Sequence, residues 1–286
     1  MASGRGLTLL AGPANAGKVA LLLERYLGAL DRDPILIVPH GSDVERIERE
    51  LLATCGALLS GRIGTFDDLF EEIARAGGSS LPVATDAQRQ LIVRRAVAQT
   101  SLNGLGASAR FSGFSDALGG ALAELESGLV EPDQLRDDLA LLYSSYRAEL
   151  EKLGLWDRDL RRRHAADLVS GELDAWSDRP VFAYGFEDLT GAQWALLEAL
   201  AGRTEVTVSL PYEPNRAPFE SLTRTSEDLS SLAAGRIEEL PPGYAEIAPP
   251  ELAHLERHLF ADRPPAAPEL QGAIRFLEGA GARGTL

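Results

Sequence analysis

The octapeptide Gly12-Pro13-Ala14-Asn15-Ala16-Gly17-Lys18-Val19 meets every fixed position but the last of the phosphate-loop pattern G-x-x-x-x-G-K-[ST]. Glycines at 12 and 17 let backbone N–H groups close around phosphate oxygens at a helix N-terminus, and Lys18 pairs with their charge. The last position changes the chemistry. A hydroxyl there binds Mg²⁺, and Val19 has no oxygen to offer. The plainer alternative is a strand–helix turn that needs glycine for its geometry alone. As a phosphate cradle the loop is expected to bind ATP weakly. Mg²⁺ is not expected in this segment, and residue types alone assign no cofactor.

Arg158, Arg161, Arg162 and Arg163 form the densest positive cluster. On a helix, residues 158, 161 and 162 share a face, which suits a row of DNA phosphates. Asp157, Asp159 and Asp167 are interleaved with them, so a solvated face of paired charges is the competing reading. Trp156 is either a stacking platform for a base or, beside Leu155, part of a core. His254 and His258 have metal-ligand spacing but no third ligand nearby, and read as a surface helix. Asp67 and Asp68 suit the dipole of a helix start. Cys55 reads as a small buried hydrophobe. As the single cysteine it excludes an internal disulfide framework and a cysteine-only metal centre in this segment.

The elements that must position these groups follow from the apolar pattern. Residues 7–11 read as a buried strand leading into the loop, and residues 18–30 as a helix leaving it. Residues 35–38 are apolar on both faces, as a parallel sheet requires, and stop at Pro39. A charged helix over 44–54, a weaker strand over 62–65 and an amphipathic helix over 66–76 complete an alternating α/β layer. From residue 85 to about 170 only helices are expected, over 85 onward, 113–127, 132–153 and 157–169. Strands return at 180–184 and 205–209, flanking a helix over 191–200. The tail, with Pro241-Pro242 and Pro264-Pro265, is expected to wrap the surface. A strand-free block between two α/β pieces reads as an insertion into one sheet domain.

Composition narrows the class. With 45% apolar and 25% charged residues, the 286-residue chain is globular, and its length suggests about two domains. The longest apolar runs fall far short of the ~20 residues of a membrane span, and no signal-peptide core follows Met1. A cytoplasmic protein with no membrane partner is expected. Lys plus Arg is 28 against 43 Asp plus Glu, a net charge of −15. Phosphate contacts need Lys and Arg, so any nucleic-acid surface must be local.

The block Tyr184-Gly185-Phe186-Glu187-Asp188-Leu189-Thr190-Gly191-Ala192-Gln193 resembles the second helicase motif of the UvrD/Rep superfamily, D-E-x-Q-D-x-x-x-x-Q. Asp188 and Gln193 match. Tyr184 replaces the Mg²⁺-binding aspartate and Gly185 the water-activating glutamate, while Glu187 stands where glutamine is expected. Gly64-Thr65-Phe66-Asp67-Asp68-Leu69 resembles the T-F-x-x-L segment of that family. Val38-Pro39-His40 sits where an earlier single-strand-contacting motif falls. With the helical insertion between them, and with the 142–160 stretch in similar style, residues 5–215 resemble the N-terminal half of the AddB-type component of AddAB helicase–nucleases.

That resemblance implies an α/β fold, a RecA-like P-loop domain of parallel strands built from residues 1–80 and 177–286, carrying an all-helical subdomain over 81–176. It implies a cofactor site at Gly12, Gly17 and Lys18. Single-stranded or duplex-end DNA would pass Pro39, His40, Thr65 and Phe66, with Arg161, Arg162 and Arg163 as phosphate donors. An AddA-like motor subunit would be the partner. A PD-(D/E)XK exonuclease domain and its cluster cysteines would lie beyond Leu286. Three function classes result: a catalytically inactive DNA-handling module of a double-strand-break repair helicase–nuclease, a structural scaffold for the motor partner, and an active P-loop ATPase tolerating Val19. The last needs a carboxylate at the end of the 180–184 strand, where the sequence has Tyr184. The first is preferred.

Overall fold

A computed structural model describes residues 5–78, 81–171, 179–261 and 263–275. Six strands form one sheet: β1 (Gly6–Gly12), β2 (Ile35–Ile37), β3 (Arg62–Gly64), β4 (Val181–Ala183), β5 (Glu205–Pro211) and β6 (Ile237–Glu239). Their order is β3-β2-β4-β5-β1-β6, and every pair is parallel. The strands 7–11 and 180–184 expected from sequence thus share one sheet, as the RecA-like α/β architecture requires.

Helices α1 (Lys18–Gly28) and α2 (Gly41–Cys55) cover one face of the sheet. Helix α3 (Phe66–Ala76) covers the other. The period-2 alternation of a strand divides its side chains between these layers. Leu10, Leu36, Val38, Phe182 and Tyr184 pack with Leu22, Tyr26 and Ile47 of α1 and α2. Leu9, Ile35, Ile37, Val181 and Ala183 point the opposite way, to Phe70 and Ile73 of α3.

The inserted helices are α4 (Asp86–Gln99), α5 (Phe114–Ser127), α6 (Asp137–Leu153) and α7 (Arg158–Ser170). The first three enclose a core of their own around Ile92, Leu122, Leu142, Tyr143 and Tyr146. Helix α7 differs. Its Ala165, Ala166 and Val169 lie in the core beneath the sheet, where it packs on α3 and on α8 (Gly191–Ala201). Small side chains on that face allow the close approach.

Several expectations need correction. The helix expected over 132–153 is broken into a single turn at Pro132–Gln134 and α6. Asp137 sits at φ +56°, and the next carboxylate, Asp138, accepts the backbone N–H groups of Asn103 and Leu105. Cys55 is exposed, with its Sγ donating to the Ala57 carbonyl at 3.3 Å, because it ends α2 on the solvent side. The tail is more ordered than a proline-rich wrap. It supplies α9 (Thr223–Ala233), which joins the core on the α3 side of the sheet, then edge strand β6, α10 (Tyr244–Ile247) and α11 (Pro250–His258). Strand β6 is Ile-Glu-Glu, exposed throughout, so no apolar pattern announces it.

Candidate functional site at the carboxyl edge of the sheet

Parallel strands end on one side, and ligands in open α/β sheets bind in the crevice outside those carboxyl ends. Here that edge carries the glycine loop after β1, Pro39-His40 after β2, Thr65 after β3 and Tyr184-Gly185 after β4. Strand β5 separates β1 from β4.

The loop has the backbone its sequence demands. Gly17 precedes α1 at φ +81° and Asn15 lies at φ +59°, both in the left-handed region. A Cβ on Gly12, at φ +153°, would meet the Leu240 carbonyl oxygen at 2.6 Å. No side chain caps the N-terminus of α1, and its first turn holds no acid, so its amides are left to a ligand or to water. Lys18 is only 7% exposed and folds back into the loop. Its Nζ donates to the Gly12 carbonyl at 2.9 Å and to that of Pro13. Burial pulls its pKa down to about 8.

The residues where an ATPase would hold Mg²⁺ do not fit the ion. Val19 packs, half-buried, against the same apolar cluster that contains Leu22, Phe182 and Tyr184. Burial holds the Tyr184 phenol above its ordinary pKa, and its hydroxyl accepts a 2.6 Å hydrogen bond from Nη2 of Arg46 on α2. Gly185 adopts φ +82° and lies against Pro39. Among the described residues, no group of three His, Cys, Asp or Glu side chains is placed to hold a metal.

The expected DNA-facing residues are only partly brought together. Pro39 and exposed His40 sit beside Gly185 and the end of β3. Thr65 caps α3: its Oγ1 accepts from the Asp68 amide at 3.4 Å, while Asp68 Oδ2 accepts from the Thr65 N–H at 2.7 Å. Phe66 is 3% exposed, with its ring centroid 4.8 Å from that of Phe186. It is core, and offers no stacking face. Gln193 likewise forms a reciprocal cap with Thr190 at the start of α8.

The arginines of α7 are engaged internally. Arg162 pairs with Asp67 at 2.7 Å and Asp159 at 2.6 Å, Arg161 with Glu71 at 3.6 Å, and Arg163 with Glu131. Their side chains are 17–18% exposed. Most of these partners lie outside α7, so the helix is fastened to α3 on one side and to the α5–α6 connection on the other. The paired-charge reading fits these contacts, and a free phosphate row does not. Arg158 is the exception, exposed and without an ion pair among the described residues. It lines a cavity of about 550 Å³ between α4, α5, α7 and α8, together with Arg89, Asp159, Arg162 and Thr190. Trp156 joins Val83 through a backbone bridge and its ring lies 4.8 Å from that of His164. Arg46 was invisible in the sequence because it sits in a helix where charged residues are the rule.

No family model matches the chain. It is 28% identical over 296 residues to the AddB-type component of the ATP-dependent helicase/deoxyribonuclease of Desulforudis audaxviator, covering 89% of this chain and 25% of that protein. The proteins of the same name from Symbiobacterium thermophilum and Heliobacterium modesticaldum are 26% and 28% identical, over 97% and 93% of this chain and 28% and 25% of theirs. The chain is an AddB-like region. It spans about a quarter of the length of these relatives. Among the described residues, no helix of this AddB-like region is long and apolar enough to cross a membrane.

Proposed function

We propose that this AddB-like region is a catalytically inactive, helicase-like module that handles DNA within a helicase–nuclease subunit of double-strand-break repair and recombination. Its partners are then single-stranded or duplex-end DNA and an AddA-like motor subunit, with nuclease chemistry carried elsewhere in the full-length protein. One observation carries the reading. The glycine loop and Lys18 are retained at the carboxyl edge of a parallel sheet, yet Val19, Tyr184 and Gly185 fill the positions that bind metal and orient water. The relatives' shared name supports the wider setting. The loop is a cradle for phosphates that binds nucleotide weakly and does not turn it over, since P-loop rate enhancement comes from placed Mg²⁺ and an oriented water.

Steady-state phosphate release with single-stranded DNA present tests the inactivity. Release stays at background; turnover abolished by Lys18→Ala overturns it. Fluorescence titration with a single-stranded oligonucleotide at two salt concentrations tests the DNA role. Weak binding that falls steeply with salt is expected, because each phosphate contact releases a condensed counterion. Arg158→Glu weakens it, as the exposed, unpaired member of the cluster. The internal pairing of Arg161, Arg162 and Arg163, on a chain of charge −15, favours a scaffold as the second reading. No signal at low salt decides for it.

A further inference from the structure

Mg²⁺ does two things for a phosphate-loop protein: it neutralises the triphosphate, and it ties the terminal phosphates to the neighbouring strand end. Both protein ends of that tie are absent here, and they are replaced together. Val19 and Tyr184 belong to one apolar cluster on the α1–α2 side of the sheet. A cation nevertheless stands at the second position. Arg46, from the second turn of α2, donates Nη2 to the Tyr184 hydroxyl at 2.6 Å and to Asp43 Oδ1 at 3.2 Å. Its side chain remains half-exposed, and its Nε and Nη1 donate to no protein group among the described residues. Adjacent strands are ~4.8 Å apart, so the ends of β1 and β4, with β5 between them, are separated by about 10 Å along the edge. A triphosphate seated on the loop amides extends its terminal phosphate across that gap.

We propose that this edge binds a nucleoside triphosphate or other polyphosphate in its metal-free form, with the Arg46 guanidinium, anchored by the Tyr184 hydroxyl, in the place a divalent ion would take. The inference rests on the reading of the loop as a phosphate cradle. A guanidinium bonds phosphate oxygens bidentately and needs no ligand sphere of its own, so the losses at residues 19 and 184 are compatible with retained binding. The Tyr184 phenol, which keeps its proton, holds Arg46 without adding negative charge, whereas a carboxylate at 184 would neutralise it. Asp43 is the one acid paired with Arg46, and it leaves two nitrogens for the ligand.

The test is equilibrium binding of a fluorescent ATP analogue to the intact chain, in EDTA and in excess Mg²⁺. Affinity in EDTA equals or exceeds that in Mg²⁺. Arg46→Ala weakens binding in EDTA about 10-fold, the loss of a charge-assisted bond. Arg46→Lys recovers part of it, and Tyr184→Phe, which removes only the anchoring hydroxyl, gives an intermediate loss. Circular dichroism confirms that these half-exposed or near-isosteric changes leave the fold intact. Binding that requires Mg²⁺ overturns the inference and leaves the cradle standing. Unchanged affinity in Arg46→Ala also overturns it. No binding by the wild-type chain in either buffer removes the cradle and the inference together.

Discussion

Gly185 follows strand β4 at φ +82°, and a Cβ built there would lie 2.9 Å from Cγ of Pro39, at the end of the neighbouring strand. The position where an ATPase keeps its water-activating glutamate is therefore closed to any side chain by backbone conformation and by contact. Gly185→Glu is expected to destabilise the fold by about 2 kcal/mol, from left-handed strain plus overpacking. The double change with Tyr184→Asp adds no ATP turnover. Denaturant melts check the first statement, phosphate release the second.

Arg162 joins Asp67 of α3 to the 8%-exposed Asp159 of α7. Burial raises the pKa of Asp159 despite the guanidinium, so removing the arginine strands a buried acid. Arg162→Ala is expected to lower stability by about 3 kcal/mol, and Arg158→Ala, exposed and unpaired, by less than about 0.5 kcal/mol. Urea melts of the two variants measure the contrast. The same contrast makes Arg158 the cleaner probe of DNA binding.

Glu126 of α5 is 1% exposed, and neither carboxylate oxygen has a hydrogen-bond partner. Arg147 Nε approaches only to 3.7 Å, and the Tyr143 hydroxyl donates to the Val130 carbonyl instead. Burial pushes its pKa up to about 7 from an ordinary 4.5. Between those values the folded chain holds a proton the unfolded chain has released, so this group's contribution to stability falls as pH rises toward 7 and stays low above it. Glu126→Gln is expected to raise the melting midpoint at pH 8 by ~3 °C and to leave it nearly unchanged at pH 6. Equal shifts at both pH values would refute the assignment.

Lys18, with its pKa lowered to about 8, loses its charge within an accessible range. Protonated lysine attracts phosphate and neutral lysine does not, so nucleotide affinity is expected to drop between pH 7 and pH 9. Bound phosphate favours the charged form and moves the midpoint upward from 8. Lys18→Met abolishes both the binding and its pH dependence, which a titration series at four pH values records.

Much of the fold was written in local pattern. The runs at residues 7–11 and 35–38, apolar on both faces, pointed to buried parallel strands, because only a sheet covered by helices on both sides accommodates them. Thr65, Thr85 and Thr190 each marked a helix start that carries a reciprocal cap. The glycine spacing around Lys18 required a left-handed turn into a helix, and the turn is there.

What the sequence left open depended on partners distant along the chain. The charge of Arg161, Arg162 and Arg163 was visible, but whether it faced solvent or acids was decided by α3 and the α5–α6 connection, 32 to 95 positions away in the closest bonds. Phe66 reads alike in a DNA path or a core, and the approach of Phe186 from the segment after β4 placed it in the core. Strand β6 has no pattern of its own and exists because β1 offers an open edge, to which Leu240 closes with a 2.8 Å bond to Ala11. Arg46 gained meaning only when the sheet order set β2 beside β4 and brought Tyr184 within hydrogen-bond reach. Local residue types determine which conformations a segment can hold, whereas the pairing of charges and edges is a long-range choice made by packing.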